Sequence, residues 1–178
     1  YGLDFGYSND PTAIVAVYYH NGGYILDEVC FQKGLSNKQI ADILSNVQPQ
    51  LVIADSAEPK SIDEIKKYGI NIIATEKGKD SVNNGIQLVQ DQRISVTKRS
   101  INIIKEYRNY LWETDKDGKI LNVPENIWDH SMDALRYALS SLIKKPNFKQ
   151  PTQSLPAKPY YPEIDGSPAP TTRLPDEQ

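Results

Sequence analysis

The chain has 178 residues, with 20 Lys+Arg against 23 Asp+Glu and a formal net charge of −3, which allows one domain of ordinary size plus extra length. No apolar run approaches the ~20 residues of a membrane span, no charged segment followed by an apolar one opens the chain as a secretory signal would, and a single cysteine, Cys30, excludes an internal disulfide and a cysteine-based zinc site. Taken alone, the mild acidity speaks against a nucleic-acid binder that works by bulk electrostatics.

Tyr1-Gly2-Leu3-Asp4-Phe5-Gly6 is strand-like and begins on Tyr rather than Met, so the natural protein is expected to continue upstream. Thr12 to Tyr19 is β-branched and aromatic, as strands prefer. Asn21-Gly22-Gly23 turns the chain into a further strand, Tyr24 to Phe31, and with residues 1–7 these predict a three-strand meander. Cys30, in the apolar run Val29-Cys30-Phe31, is expected as a buried small hydrophobe. Ser36 caps a helix, with Gln39 three residues on completing a capping box; Ile40, Ile43, Leu44 and Val47 follow at helical spacing. Leu51-Val52-Ile53-Ala54 is wholly apolar, the pattern of a buried parallel strand. Pro59 starts the next helix, Ile62, Ile65 and Tyr68 line one face of it, and Gly69 stops it. Ile70 to Ala74 is a second buried strand. Residues 80–91 follow as a helix with Val82, Ile86 and Val89 apolar, then a short strand at Ile94-Ser95-Val96 and a helix over 99–107. Tyr107 to Trp112 and Lys119 to Val123 flank Asp115-Lys116-Asp117-Gly118, a hairpin signal. A last helix runs from about 130 to 144 with Leu135, Leu139 and Leu142 on its core face.

The order β-β-β-α-β-α-β-α-β-α-hairpin-α predicts an α/β fold: a mixed sheet with helices on both faces. Composition changes near residue 145, because eight of the 12 prolines fall at Pro146 or later. Proline removes backbone donors, and few large aliphatics remain to offset ordering entropy. Two parts are expected: a domain over 1–145, and a Pro-rich extended or disordered tail over 146–178.

Three acidic residues occupy unusual places. Asp4 lies inside the first strand, Asp55 directly follows the apolar strand Leu51–Ala54, and Asp133 lies one turn into the last helix. Ligands in open α/β sheets gather at carboxyl ends of strands, and an acid within a strand is unfavourable unless something compensates. A divalent cation compensates, since Mg²⁺ uses hard oxygen ligands from two or three carboxylates. Each residue also has a structural alternative: a hydrogen-bonded strand residue for Asp4, a turn cap for Asp55, a solvent-facing helix position for Asp133. Asp129 reads as the N-cap of the last helix. Glu58, beside Pro59, is either a charge favoured by the helix dipole or a further carboxylate supporting the cluster. His130 shares a helix face with Asp133 at spacing i, i+3, which lets it reach the same metal or orient a water; His20 is expected at the surface.

Together these segments resemble the nuclease domain of tailed-phage terminase large subunits. Tyr1-Gly2-Leu3-Asp4-Phe5-Gly6 with Pro11-Thr12-Ala13 is similar to its opening, Ala54-Asp55-Ser56-Ala57-Glu58-Pro59-Lys60-Ser61 to its second acidic motif, and Asp129-His130-Ser131-Met132-Asp133-Ala134-Leu135-Arg136-Tyr137-Ala138 to its third. The resemblance spans roughly residues 1–144. It implies an RNase H-like fold and a Mg²⁺- or Mn²⁺-dependent endonuclease using two ions to cut concatemeric double-stranded viral DNA. Asp4, Asp55 and Asp133 would be the metal ligands, with His130 at the catalytic site and Glu58 and Asp129 behind them. It also implies an N-terminal ATPase domain on the same polypeptide, portal protein and small terminase subunit as partners, and a place in the host-cell cytoplasm during virion assembly, away from membranes. No G-x-x-x-x-G-K-[ST] occurs in this chain. The hairpin resembles an insertion near the active site of some terminase nucleases, placed to guide the duplex; the alternative is that it extends the sheet.

Charge is unevenly divided. Residues 1–59 carry 2 basic and 7 acidic groups, 60–108 carry 10 and 6, and 109–143 carry 3 and 6. Lys77 and Lys79, in the loop after a strand next to that of Asp55, are the favoured DNA contacts, with Lys60 and Arg99 as further candidates. Competing readings are a Holliday-junction resolvase or transposase-like nuclease on the same fold, an actin-like sugar kinase or ATPase, and a docking module acting through the tail.

Overall fold

Side chains on a strand alternate between the two faces of a sheet, and in the first strand this alternation places everything that follows. A computed structural model describes residues 1–143; the expected tail over 146–178 lies outside the described residues. The chain forms β1 (Gly2–Asp4), β2 (Thr12–His20), β3 (Gly23–Gln32), α1 (Asn37–Val47), β4 (Val52–Ala54), α2 (Pro59–Lys67), β5 (Ile72–Ala74), α3 (Ser81–Gln90), β6 (Ile94–Val96), α4 (Ile101–Asn109), β7 (Trp112–Thr114), β8 (Ile120–Pro124) and α5 (His130–Ile143). Six strands make one mixed sheet in the order β5-β4-β1-β2-β3-β6. β1, β2 and β3 are antiparallel neighbours, β4 and β5 run parallel to β1, and β6 runs parallel to β3.

The sheet separates two apolar layers. On one face Leu3, Ile14, Val52, Ala54 and Ile72 meet Ile40, Ala41 and Leu44 of α1 and Ile62 and Ile65 of α2. On the other face Ala13, Val15 and Leu26 meet Ile103 of α4 and Ala134, Leu135 and Leu139 of α5. Leu3 belongs to the first layer, so Gly2 and Asp4 face the second. The same parity sends Ala54 toward α1 and α2 and points Asp55 the other way. The parallel register Gly2↔Ile53, Leu3↔Ala54 then sets Asp4 and Asp55 side by side at one end of the sheet.

α5 crosses β1 in direct backbone contact. A Cβ on Gly2 would lie 1.8 Å from the carbonyl oxygen of Ala134. Only a residue without a side chain permits that approach. α1 begins as its sequence signals: the Ser36 hydroxyl accepts from the Gln39 N–H at 3.3 Å, and the Gln39 side chain accepts from the Ser36 N–H at 2.9 Å. α2 has Pro59 in its first turn and ends before Gly69, whose φ of 86° is in the left-handed region.

Four details differ from the sequence expectation. α4 continues to Asn109, so β7 begins at Trp112 rather than at Tyr107. β7 and β8 form a separate two-stranded sheet and do not extend the main one. Cys30 is half-buried at the margin of the core. Val47, Tyr68 and Val82 are exposed: Val47 ends α1, Tyr68 lies past the end of α2 with Lys38 over its ring, and Val82 faces a cleft. His20 is exposed, as expected.

Replacing Gly2 with Ala should destabilise the chain by about 3 kcal/mol, the upper range for overpacking a rigid core contact. Urea unfolding monitored by circular dichroism measures this; a change below about 0.5 kcal/mol would show that α5 does not depend on this contact.

Candidate active site

Where β1 and β4 end, loops and α5 close over a cleft of about 340 Å³ lined by Asp4, Asp10, Asp55, Lys77, Asp129, His130, Asp133, Arg136 and Tyr137 among others. β1 supplies Asp4, the β4 exit supplies Asp55, and α5 supplies His130, Asp133, Arg136 and Tyr137 at successive turns of one face. The loop after β1 is folded back on itself: the Thr12 hydroxyl donates to the Gly6 carbonyl at 2.9 Å, and a Cβ on Gly6 would meet the Asp10 carbonyl oxygen at 2.3 Å. This fold-back brings Asp10 to the cleft.

Asp4 is 9% exposed. Its Oδ2 lies 3.1 Å from His130 Nδ1. Burial pushes its carboxyl up to about 6, with the His130 contact opposing and the Asp133 and Asp55 charges adding to the rise. The Asp4 contact in turn raises His130 above the usual imidazole range, against the effect of burial. The other ring nitrogen, Nε2, stands 3.9 Å from both Asp10 and Asp129.

Asp55 is differently placed. Lys77 Nζ lies 2.5 Å from its Oδ1, the Ala57 N–H donates to the same oxygen at 2.9 Å, and the Tyr137 hydroxyl reaches Oδ2 at 3.3 Å. Burial works to raise this carboxyl, but those contacts outweigh it and hold it below the usual carboxylate range. On Asp133, Oδ2 receives both an Arg136 guanidinium N–H at 2.6 Å and the Tyr137 hydroxyl at 3.0 Å. Burial, then the neighbouring Asp133, Asp4 and Asp55, drive the Tyr137 phenol well above its ordinary range, so it stays protonated and donates.

Among the described residues, no three His, Cys, Asp or Glu side chains stand gathered as a ready metal cage. Asp55 and Asp133 instead hold a lysine and an arginine, which offset part of the charge. The donor chemistry still suits a hard divalent cation. Three carboxylates from separate elements face one cleft, and no hydrogen bond from the described residues reaches Oδ1 of Asp4 or of Asp133.

The structure thus brings Asp4, Asp55, Asp133, His130, Asp129 and Lys77 together. Four other residues singled out from the sequence stand apart. Glu58 occupies the cap position of α2, where its side chain accepts from the Ser61 hydroxyl, and lines a separate pocket beside α1. Lys60 and Lys79 are exposed and do not line the cleft. Arg99 follows β6, at the edge of the sheet opposite β5, with its guanidinium on Asp27. Sequence reasoning did not single out Asp10, Arg136 or Tyr137. For Arg136 and Tyr137 a signal was present, since they lie three and four positions after Asp133 on a helix and so share its face.

A sheet ordered β5-β4-β1-β2-β3-β6 with acidic residues at the ends of its central parallel pair, and a helix delivering a third acid across them, defines an RNase H-like protein. The sequence matches the Terminase RNAseH like domain over residues 4–141, and the chain belongs to that family. The large terminase subunit of Bacillus phage SPP1 is 39% identical over 153 residues, 81% of this chain and 36% of its own length. The PBSX phage terminase large subunit of Bacillus subtilis (strain 168) is 27% identical over 143 residues, 78% and 33% of the two. The chain therefore spans about a third of the length of these curated relatives. The crystal structure of the SPP1 large terminase (g2p) nuclease domain with bound Mn superposes with a TM-score of 0.71 at 34% identity, covering 79% of this chain and 84% of that one. The large terminase of a thermophilic bacteriophage, in complex with ADP, shares the fold at a TM-score of 0.67 and 19% identity, over 81% of this chain and 39% of its own. Family membership sets aside the resolvase, transposase and sugar-kinase alternatives.

Asp4 titrates above its ordinary value of 3.8, so the folded state favours its protonated form. That contribution to stability is complete below about pH 4 and is lost as pH rises through about 6. The raised His130 acts in the same direction: its contribution is present below its ordinary 6.5 and is lost as pH passes its folded value. Without metal, the chain should lose stability from pH 5 to pH 8, and Asp4→Asn should remove about 1.4 kcal/mol of that loss, the part of the Asp4 contribution still present at pH 5. Urea unfolding in EDTA at both pH values tests this. A wild type equally stable at the two, or an Asn variant less stable than wild type at pH 8, would contradict it.

Proposed function

We propose that this domain is a metal-dependent DNA endonuclease that cuts concatemeric double-stranded viral DNA by phosphodiester hydrolysis with two Mg²⁺ or Mn²⁺ ions. The observation that carries the reading is the convergence of Asp4, Asp55 and Asp133 with His130 on one cleft at the carboxyl ends of β1 and β4. The Mn bound to the related SPP1 nuclease domain supports the choice of a divalent cation.

Asp4, Asp55 and Asp133 would hold the ions, which would supply Lewis acidity toward the phosphodiester and a nucleophilic water at neutral pH. The residues of the chain divide the remaining work. Oδ1 of Asp4 and Oδ1 of Asp133 are the oxygens free to ligate. On Asp55, Lys77 and the Ala57 N–H share Oδ1 while Oδ2 takes only the Tyr137 hydroxyl, so Oδ2 would be the oxygen available to an ion there. Lys77, 43% exposed at its side chain and already in the cleft, would face the phosphate backbone. The Nδ1 contact to Asp4 fixes the His130 ring and directs Nε2 toward Asp10 and Asp129, where it can accept a proton and hand it on. Tyr137 stays protonated and steadies the carboxylates on either side of it.

Beyond the cleft, the exposed Lys79 and Lys60 would contact phosphates of the bound duplex. Arg99, whose guanidinium pairs with Asp27 while its side chain stays largely exposed, would be a further contact. With a net charge of −3, few phosphates are neutralised at once, and affinity for DNA should be weak. The full-length protein would supply the missing grip through an N-terminal ATPase domain, acting with portal protein and small terminase subunit in the host-cell cytoplasm during virion assembly.

The test is nicking and linearisation of supercoiled plasmid with Mn²⁺. Asp4→Ala, Asp55→Ala and Asp133→Ala should each lower the rate at least about 100-fold while retaining the wild-type circular dichroism spectrum, and EDTA should abolish cutting. Wild-type cutting by any of the three, or cutting undiminished in EDTA, overturns the assignment.

A further inference from the structure

Arg136 is 7% exposed, an unusual burial for a residue of this type. It runs from α5 beneath α3, and its stem occupies the space where residue 85 would carry a side chain: a Cβ on Gly85 would lie 2.7 Å from both Cγ and Cδ of Arg136. Gly85 sits inside α3 at a negative φ, so no turn requires a glycine there, and glycine is unfavourable in a helix interior. The space it leaves is filled by the arginine. The far end of Arg136 donates to Asp133 Oδ2, and its guanidinium carbon lies 4.9 Å from the Tyr137 ring centroid.

The arrangement is not what stability alone would favour. Among the described residues Arg136 Nε is buried without a hydrogen-bond partner, and a buried donor left unsatisfied is a net cost. The guanidinium nevertheless occupies the one oxygen of Asp133 that Tyr137 also holds. It thereby selects which oxygen stays free.

We infer that Arg136 is a positioning residue, seated by the absent side chain of Gly85, which locks the Asp133 carboxylate so that Oδ1 is the oxygen available to a divalent cation. This rests on the metal-centre reading above. It makes α3, which contributes no carboxylate ligand, a determinant of metal affinity. Groups that orient a ligating carboxylate commonly change metal affinity 10- to 100-fold when removed.

Calorimetric titration of Mn²⁺ into the 178-residue chain tests it, with Asp4→Ala as the control for binding at this centre and the unfolding temperature in EDTA recording the structural effect of each variant separately. Gly85→Ala should weaken Mn²⁺ binding about tenfold, although alanine favours the helix. Arg136→Lys, which keeps the charge but loses the fork, should weaken it about as much. Arg136→Ala should weaken it at least tenfold. In the double variant Gly85→Ala/Arg136→Ala the loss should equal that of Arg136→Ala alone, because the clash is gone. Wild-type binding abolished by Asp4→Ala but retained within twofold in both Gly85→Ala and Arg136→Lys overturns the inference. Multiplying losses in the double variant overturn the link through Gly85. Absence of Mn²⁺ binding by the wild type overturns the metal-centre reading itself, and this inference with it.

Discussion

The backbone of α5 rests on β1 at Gly2, and the site depends on that contact. Asp4 faces α5 because Leu3 is claimed by the opposite apolar layer. It can reach His130 because nothing but hydrogen separates Gly2 from the Ala134 carbonyl. A side chain at position 2 would lift the helix, and His130, Asp133, Arg136 and Tyr137 would move with it, since all four project from its first two turns. One missing Cβ thus sets the depth of the cleft and brings an acid in a strand together with acids and bases on a helix far away in sequence.

Electrostatics then explains the cations found among the carboxylates. Several acidic groups share a partly buried cleft, where the local dielectric strengthens their mutual repulsion. Lys77, Arg136 and His130 each face one of them, on Asp55, Asp133 and Asp4 respectively. These contacts differ in kind. The Lys77 side chain is substantially exposed, whereas Arg136 is enclosed between α3 and α5. The first is held loosely; the second is part of the frame. The whole-chain charge of −3 conceals this pattern, because acidic excess at the cleft is balanced by a basic stretch across α2 to α4.

Much of this was legible in the residues. The helix and strand order, the capping box at Ser36, Pro59 at the start of α2 and the turn at Asp115 to Gly118 all rest on local chemistry, and each is where the sequence placed it. Asp4 and Asp55 stood out as candidates, since an acid inside or directly after an apolar strand is out of place unless something compensates, and Asp133 stood out by sharing a helix face with His130. The errors arose where tertiary packing decided. Tyr107 and Tyr110 have strand-like character, yet α4 continues to Asn109 because Ile103 and Glu106 are buried on its inner face. Val82 has the right spacing for a core position and lies on the cleft instead.

Sequence by itself determined the elements, their order, the family resemblance and which acids were candidates, because periodicity, caps and turns act over a few residues. Only the tertiary structure decided which oxygen of each carboxylate is engaged, that Asp10, Arg136 and Tyr137 join the cleft, and that Gly2 and Gly85 are glycines for the sake of a neighbouring element. The two glycines depend on contacts between residues far apart in sequence, Arg136 on Gly85 at 51 positions and Ala134 on Gly2 at 132, and no local pattern encodes how closely two elements will approach.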